Sequence, residues 1–316
     1  MSHISNMPDQ QYGKVAVMFG GSSAEREVSL RSGQAVLAAL QGAGVNAHGF
    51  DPAQQPITQL LAQQFTRVVI MLHGRGGEDG SLQGALQLLG LPYSGCGVLG
   101  SALAMDKIRS KQIWQSLGLS TAKYAIADKR SFDARSCPAI MARLGNEVMV
   151  KPAQEGSSIG MARVSTALQL ETAIQDAFKY DNNVLLEQFI QGSEYTVSIL
   201  NGVALPSIRM STPRTFYDYQ AKYQSDSTEY FCPSGLTDEQ EAELAQLALA
   251  AFAALAGHGW GRVDVMCDKQ GQYYLLEANT VPGMTAKSLV PMAAKQAGMS
   301  FTDLSLAILA TTEDVK

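Results

Sequence analysis

Residues 261–279 read Gly261-Arg-Val-Asp264-Val-Met-Cys267-Asp-Lys-Gln-Gly271-Gln272-Tyr-Tyr-Leu-Leu-Glu277-Ala-Asn279. Two strand-like runs, Gly261 to Cys267 and Gln272 to Ala278, flank Asp268-Lys-Gln-Gly271, which is good hairpin-turn material. Residues two apart in a strand share a face, so Arg262 lies beside Asp264 and Glu277 beside Asn279. Counted from the turn, Asp264 and Glu277 stand almost opposite each other. Facing carboxylates repel unless something positive lies between them. With the Asn279 oxygen they make an all-hard-oxygen donor set, suited to Mg²⁺ held with substrate phosphates rather than to zinc or copper. The same pattern also suits the solvated face of an antiparallel hairpin, and a lone D…E…N spacing does not choose between the two.

At 316 residues, 46% hydrophobic and 17% charged, the chain has the composition of a globular protein with two or three domains, which excludes disordered and fibrous classes. A net charge of −5 and a pI near 5.4 give no electrostatic reason to expect nucleic acid or an anionic membrane as partner, so any phosphate needs a local site. No apolar run reaches the roughly 18 residues of a membrane span; the most apolar stretch, Leu244 to Ala256, is expected to be a buried helix. Residues 1–12 are polar, lack the apolar core of a secretion signal and read as a loose leader. Cys96, Cys137, Cys232 and Cys267 show no metal-ligand spacing, which fits a reduced cytoplasmic protein with free thiols.

Val15 to Phe19 and Phe65 to Leu72 are apolar strands, each closed by a glycine loop and followed by a helix, Ala24 to Leu40 in the first case and one ending at Leu89 in the second. Strand, glycine loop, helix, repeated, predicts a small Rossmann-like α/β domain over 13–100, its ligands gathered at the carboxyl ends of the strands. A helix from Ser101 to Leu117 then leads into an α+β alternation, with strands at 123–127, 148–151, 161–164 and 184–189 and helices near 131–144 and 166–179. The expected division is a central domain over 101–190 and a C-terminal one over 191–316.

Lys151-Pro152 ends a strand, and Gln154-Glu-Gly-Ser-Ser-Ile-Gly160 forms a loop before the return strand. Such a loop can wrap backbone N–H groups and hydroxyls around phosphate oxygens, with the lysine supplying charge. It matches neither the P-loop pattern nor the Rossmann fingerprint, and an ordinary hairpin turn has the same composition. Leu185-Leu-Glu187-Gln-Phe-Ile190 is a strand whose edge and carboxylate could read a planar base, or simply an edge strand with a wet face. Residues 210–231 lack periodicity yet carry Phe216, Tyr217, Tyr219, Tyr223 and Tyr230, which points to a functional lid with Lys222-Tyr223 at its centre. Ser22-Ser-Ala-Glu25 fits a capping box at a helix start. His73 sits in a glycine loop, suited to a structural hydrogen bond or a substrate contact; Lys107 reads as a solvated helix residue. Ser288, before an apolar helix, reads as an N-cap whose neighbouring N–H groups also suit a carboxylate.

Together, Gly20-Gly-Ser-Ser-Ala-Glu-Arg-Glu-Val-Ser29, His73-Gly-Arg-Gly-Gly-Glu-Asp-Gly-Ser-Leu-Gln-Gly84, Met105-Asp-Lys107, Val150-Lys-Pro152, Glu155-Gly-Ser-Ser-Ile-Gly160 and Leu276-Glu-Ala-Asn-Thr-Val-Pro-Gly-Met284 resemble, in order and spacing, the D-alanine:D-alanine ligases of the ATP-grasp superfamily. The resemblance runs from about Lys14 to the C-terminus. It implies a three-domain α/β and α+β ATP-grasp architecture with ATP between the central and C-terminal domains. It also implies the ATP-dependent joining of two D-alanines, through an acyl phosphate, for bacterial cell-wall peptidoglycan.

On that resemblance Asp264, Glu277 and Asn279 would hold two Mg²⁺, with Mn²⁺ as a substitute. Lys107, Lys151 and Lys222 would serve ATP, with Glu155, Gly156, Ser157 and Ser158 covering its phosphates. Glu187 and residues Gln188, Phe189 and Ile190 would hold adenine, and Glu194 the ribose. Glu25 would bind the first D-alanine's ammonium, linked through Ser157 to Tyr223, with His73 nearby. Arg262 would stabilise the tetrahedral oxyanion. Ser288, Leu289 and Gly283 would meet the second D-alanine. A homodimer is the implied assembly. Gln188 departs from the lysine many relatives carry beside adenine, which leaves that end of the nucleotide site less charged. The alternatives are a ligase joining D-alanine to D-lactate or D-serine, against which Tyr223 argues, and a nucleotide-binding module without catalysis.

Overall fold

The computed structural model describes residues 12–211 and 228–313. Val15–Met18 (β1), Ala47–Phe50 (β2) and Arg67–Ile70 (β3) form a parallel sheet in the order β2-β1-β3. Every residue of β1 is buried, as a central parallel strand covered on both faces must be. The helix Arg26–Gly42 packs Val36 and Leu40 into that core. β2 has no legible signal in Ala-His-Gly-Phe; its pairing with β1 makes it a strand. Tyr12 is also buried here, with Arg67 over its ring, so it does not belong to the loose leader expected over residues 1–12; the rest of that stretch lies outside the described residues.

Tyr124–Asp128 (β4), Val148–Pro152 (β5), Ala162–Val164 (β6) and Asn183–Gln188 (β7) make an antiparallel sheet, β4-β7-β5-β6. Leu144, Leu170 and Ile174, from the helices Cys137–Leu144 and Ala167–Ala177, share a core with its Val148, Val150, Val184 and Leu186. The third sheet holds Gly192–Leu200 (β8), Val203–Ala204 (β9), Ile208–Ser211 (β10), Glu229–Phe231 (β11), Trp260–Asp268 (β12) and Tyr273–Asn279 (β13). Its order is β11-β10-β8-β12-β13, with β9 on β8. The expected buried helix spans Asp238–Ala254, opens on a Thr237–Gln240 capping box and lays Leu244, Ala248 and Phe252 against this sheet. The last helices, Leu289–Gln296 and Phe301–Ala310, instead join the core of the first sheet through Val290, Leu304 and Ile308.

Two expectations change. The helix expected over Ser101–Leu117 is two helices, Val98–Met105 and Lys107–Ser116. Asp106 between them has extended backbone, and its carboxylate caps the second helix by accepting from the N–H groups of Ile108 and Arg109, both at 3.0 Å. The segment 210–231 is not irregular throughout: Arg209, Met210 and Ser211 pair with Phe231, Tyr230 and Glu229, so its two ends form a strand pair. Residues 212–227, with Lys222, Tyr223 and most of the expected lid aromatics, lie outside the described residues. Among the described residues no helix is long and apolar enough to cross a membrane.

Candidate active site

Arg262 pairs with Asn279 and Asp264 with Glu277, as expected, but through a bulge: the register from Cys267–Tyr273 to Val265–Leu275 would put Leu276 opposite Asp264, and the shift after Asp264 brings Glu277 there instead. Asp264 is the hub. Arg262 donates to it through Nε and Nη2, both at 2.8 Å, Thr196 Oγ1 donates at 2.6 Å and Asn279 Nδ2 at 3.1 Å. β12 lies inside the sheet between β8 and β13, so Asp264 is only 4% exposed. A carboxylate on a solvated hairpin face would not be so enclosed; Thr196 on β8, paired with Asp264, closes that side.

Lys107 is not solvated either. The break at Asp106 places it on the first turn of a new helix, where it is buried, donates to the Glu155 carbonyl at 2.7 Å and lies 3.3 Å from Glu277. Lys151 on β5 donates to Glu187 Oε2 on the adjoining β7 at 2.7 Å, and Lys111 pairs with Glu187 Oε1. Burial by itself would raise the Glu187 pKa, but the two ammonium groups outweigh it and hold the carboxyl below its ordinary range.

The loop 154–160 holds Ser157 and Ser158 at positive φ, 52° and 59°, a conformation that non-glycine residues adopt at a cost and that here points Ser157 across to the first sheet. Ser157 Oγ donates to the Glu25 carboxylate. The capping-box reading of Glu25 is therefore corrected: the helix begins at Arg26, and the Glu25 carboxylate makes no cap bond because Ser157 engages it. Arg75, in the loop after β3, adds a salt bridge to Glu155 at 2.8 Å.

His73 is buried, with Nδ1 2.8 Å from the Val281 carbonyl and Nε2 3.1 Å from Ser32 Oγ. A carbonyl only accepts, so Nδ1 carries a proton, and in the neutral ring that leaves Nε2 to accept from Ser32. Burial pushes its pKa down in agreement. Beside it Glu78 accepts from the N–H groups of Gly74 (2.6 Å) and Val281 (3.1 Å). Burial, then the charge of Glu25, pushes its carboxyl up to about 8 against those bonds. Ser288 stands at the N-cap position, but its Oγ accepts from the Thr285 N–H at 2.9 Å and makes no cap bond to the helix that starts at Leu289.

These groups enclose two adjoining cavities. The larger, about 430 Å³, is lined by Lys107, Lys151, Glu155 to Ser158, Glu187 to Ile190, Glu194, Asp264 and Glu277. The other, about 370 Å³, is lined by Glu25, His73, Glu78, Arg262, Asn279, Gly283, Ser288 and Leu289. Lys107, Gly156, Ser157 and Glu277 line both and form the shared wall. All residues given a role at the nucleotide, metal or amino-acid site line one cavity or the other, except Lys222 and Tyr223, which lie outside the described residues. Thr196, Lys111, Glu78, Arg75 and Met149 went unnoticed. Glu78 and Arg75 belong to the quoted 73–84 motif, a signal that was present; nothing local marks Thr196 or Lys111.

Three sheets with paired cavities between them define the ATP-grasp class, and the comparisons with known proteins agree. The family profiles described as D-ala D-ala ligase C-terminus and D-ala D-ala ligase N-terminus match residues 113–310 and 45–96. The chain belongs to the D-alanine–D-alanine ligase family. It is 74% identical over 310 residues to the D-alanine–D-alanine ligase of Pseudoalteromonas atlantica, covering 98% of each chain. With that of Idiomarina loihiensis it shares 56% over 306 residues, 97% of this chain and 99% of the relative. The crystal structure of the Bacillus anthracis D-alanine–D-alanine ligase complexed with ATP superposes with a TM-score of 0.83 at 31% identity, covering 95% of this chain and 97% of that one. The VanG D-Ala:D-Ser ligase of Enterococcus faecalis superposes with a TM-score of 0.82 at 28% identity, covering 95% and 99%.

Proposed function

We propose that the protein joins two molecules of D-alanine to D-alanyl-D-alanine with cleavage of ATP to ADP and phosphate, supplying peptidoglycan synthesis. The observation that carries this reading is the shared wall: one cavity rich in lysine and backbone donors opens onto a second that presents a carboxylate, an arginine and a bare helix start. ATP would occupy the first and the amino acids the second. The γ-phosphoryl group passes to the carboxylate of the first D-alanine; the amine of the second then attacks the acyl carbon, forms the peptide bond, loses a proton and expels phosphate.

Catalysis of this kind is mainly positioning and charge neutralisation. Lys107 and Lys151 would hold the phosphates, with Glu155 to Ser158 folded over them; Lys222, outside the described residues, is the third lysine of this reading. Glu187 to Ile190 would hold adenine and Glu194 the ribose. Glu25 would bind the first D-alanine's ammonium, fixed by Ser157 and Tyr223, with His73 alongside. Arg262, its guanidinium plane held by Asp264, would face the oxyanion of the tetrahedral intermediate. The first-turn amide of Leu289, with Ser288 and Gly283 beside it in the cavity lining, would take the second carboxylate. Asp264, Glu277 and Asn279 are the residues that would hold Mg²⁺, or Mn²⁺ in its place: all three offer hard oxygens, two from opposed strand positions. Bound there, such ions neutralise phosphate charge.

A D-lactate or D-serine acceptor is the competing reading, since the fold also matches a D-Ala:D-Ser ligase; Tyr223 favours the dipeptide. A module without catalysis is disfavoured by the intact Arg262–Asp264–Glu277–Lys107 set. The further parts of the reading are three domains (13–100, 101–190 and 191–316), a homodimer and a cytoplasmic location. Incubation with ATP, Mg²⁺ and D-alanine tests the central claim: ADP should appear with D-alanine and not with L-alanine, and equal release with both would reject it.

A further inference from the structure

Lys111 lines neither cavity, yet it is fully buried. Its ammonium pairs with Glu187 Oε1 and donates to Thr121 Oγ1 at 2.5 Å and the Leu275 carbonyl at 3.2 Å. Three acceptors meet the three N–H groups of a lysine. Such a group is costly to bury, and here it reaches no ligand space, so what it does is done through a neighbour. That neighbour is Glu187, whose other oxygen accepts from Lys151, and Lys151 does line the larger cavity.

Two ammonium groups thus flank one buried carboxylate. Were Glu187 balanced by Lys151 alone, the pair would be neutral and the cavity wall would offer little to a polyanion. We propose that Lys111 is a positioning residue for the nucleotide phosphates: it neutralises Glu187 from behind, so that Glu187 orients Lys151 without cancelling its charge. The inference rests on the reading of the larger cavity as the ATP site. Thr121 and Leu275 form a strand bridge, so the same lysine also fastens Glu187 of the second sheet to β13 of the third, two residues before Glu277. Burial pushes the Lys111 pKa down and also acts against Lys151, whose pKa Glu187 nevertheless raises, which agrees with Lys151 remaining charged.

The test is equilibrium binding of ATP and of adenosine to wild type, to Lys111→Met and to the double variant Lys111→Met/Glu187→Gln, alongside KM for D-alanine. Lys111→Met should weaken ATP about tenfold or more and adenosine by less than about threefold, with KM for D-alanine unchanged, because only the charge facing the phosphates is lost. The double variant should recover the ATP-over-adenosine preference lost in Lys111→Met, since Lys151 is then unopposed, whereas loss of the Glu187 carboxylate beside adenine weakens both ligands alike. A purely structural lysine leaves that preference unrestored. The proposal is overturned if folded Lys111→Met binds ATP like wild type, if ATP and adenosine weaken equally, or if the double variant shows no greater preference for ATP over adenosine than the single. Should Lys111→Met fail to fold, the double variant decides alone: it must keep the wild-type preference for ATP over adenosine, and loss of that preference overturns the proposal. Failure of the ATP reading itself would show separately, as wild type that binds no ATP.

Discussion

Ser157 Oγ donates a hydrogen bond to the Glu25 carboxylate across 132 residues of sequence, joining the loop over one cavity to the helix start beside the other. The contact ties the 154–160 loop to the residue proposed to bind the first D-alanine. A Cβ at Gly156 would stand 2.8 Å from Glu25 Oε2, so the approach also depends on glycine there.

Ser157→Ala should therefore act on the amino-acid side first. Loss of one charge-assisted bond, about 1.5–3 kcal/mol, raises KM for the first D-alanine by roughly tenfold or more, with a smaller change in KM for ATP. Gly156→Ala, which displaces the same carboxylate, should match it in direction. Steady-state kinetics with each substrate varied checks this; a change confined to ATP would refute the coupling.

Asp264→Asn should reduce turnover by about two to three orders of magnitude, the scale of losing one charged partner of a transition-state donor. It should also destabilise the fold by roughly 2–3 kcal/mol, because Asp264 is buried and accepts from Arg262, Thr196 and Asn279. Turnover and chemical denaturation midpoints together test it. Normal turnover would remove Asp264 from the proposed metal and arginine-holding set.

Glu78 gives a pH dependence. Its folded pKa of about 8 lies above the ordinary 4.5, so between those values the folded state keeps a proton that the unfolded chain has lost. Stability from this group is fully present below the unfolded pKa and is lost as pH rises towards about 8, by at most about 1.4 kcal/mol per pH unit. Glu78→Gln should flatten that slope between pH 5.5 and 7.5. His73, its pKa lowered by burial, slopes the other way below about pH 6.5 in both proteins. Identical slopes for wild type and variant would mean that Glu78 ionises in the ordinary carboxylate range.

Tyr223→Phe should loosen acceptor choice. With D-alanine and D-lactate competing, the variant should form more depsipeptide relative to dipeptide than wild type does. An unchanged product ratio would remove Tyr223 from the specificity network.

The sequence by itself determined the hairpin. A two-residue period and a glycine turn are local properties, and they put Arg262 beside Asp264 and Glu277 beside Asn279; the bulge after Asp264, which the alternation does not encode, is what sets Asp264 opposite Glu277. The parallel arrangement of β1 and β3 and the glycine loops after them were legible for the same reason. Tertiary structure alone decided which polar groups became buried. Lys107 changed from a solvated residue to a shared wall because Asp106 interrupts the helix, and Glu25 changed from a cap to a bridge because Ser157 approaches from another sheet. Lys111 and Thr196 show nothing in sequence, since an ordinary lysine and an ordinary threonine acquire their roles only from Glu187 and Asp264, brought to them by strand order. Patterning is written in neighbouring residues, whereas desolvation and charge pairing depend on groups that folding alone brings within hydrogen-bond reach.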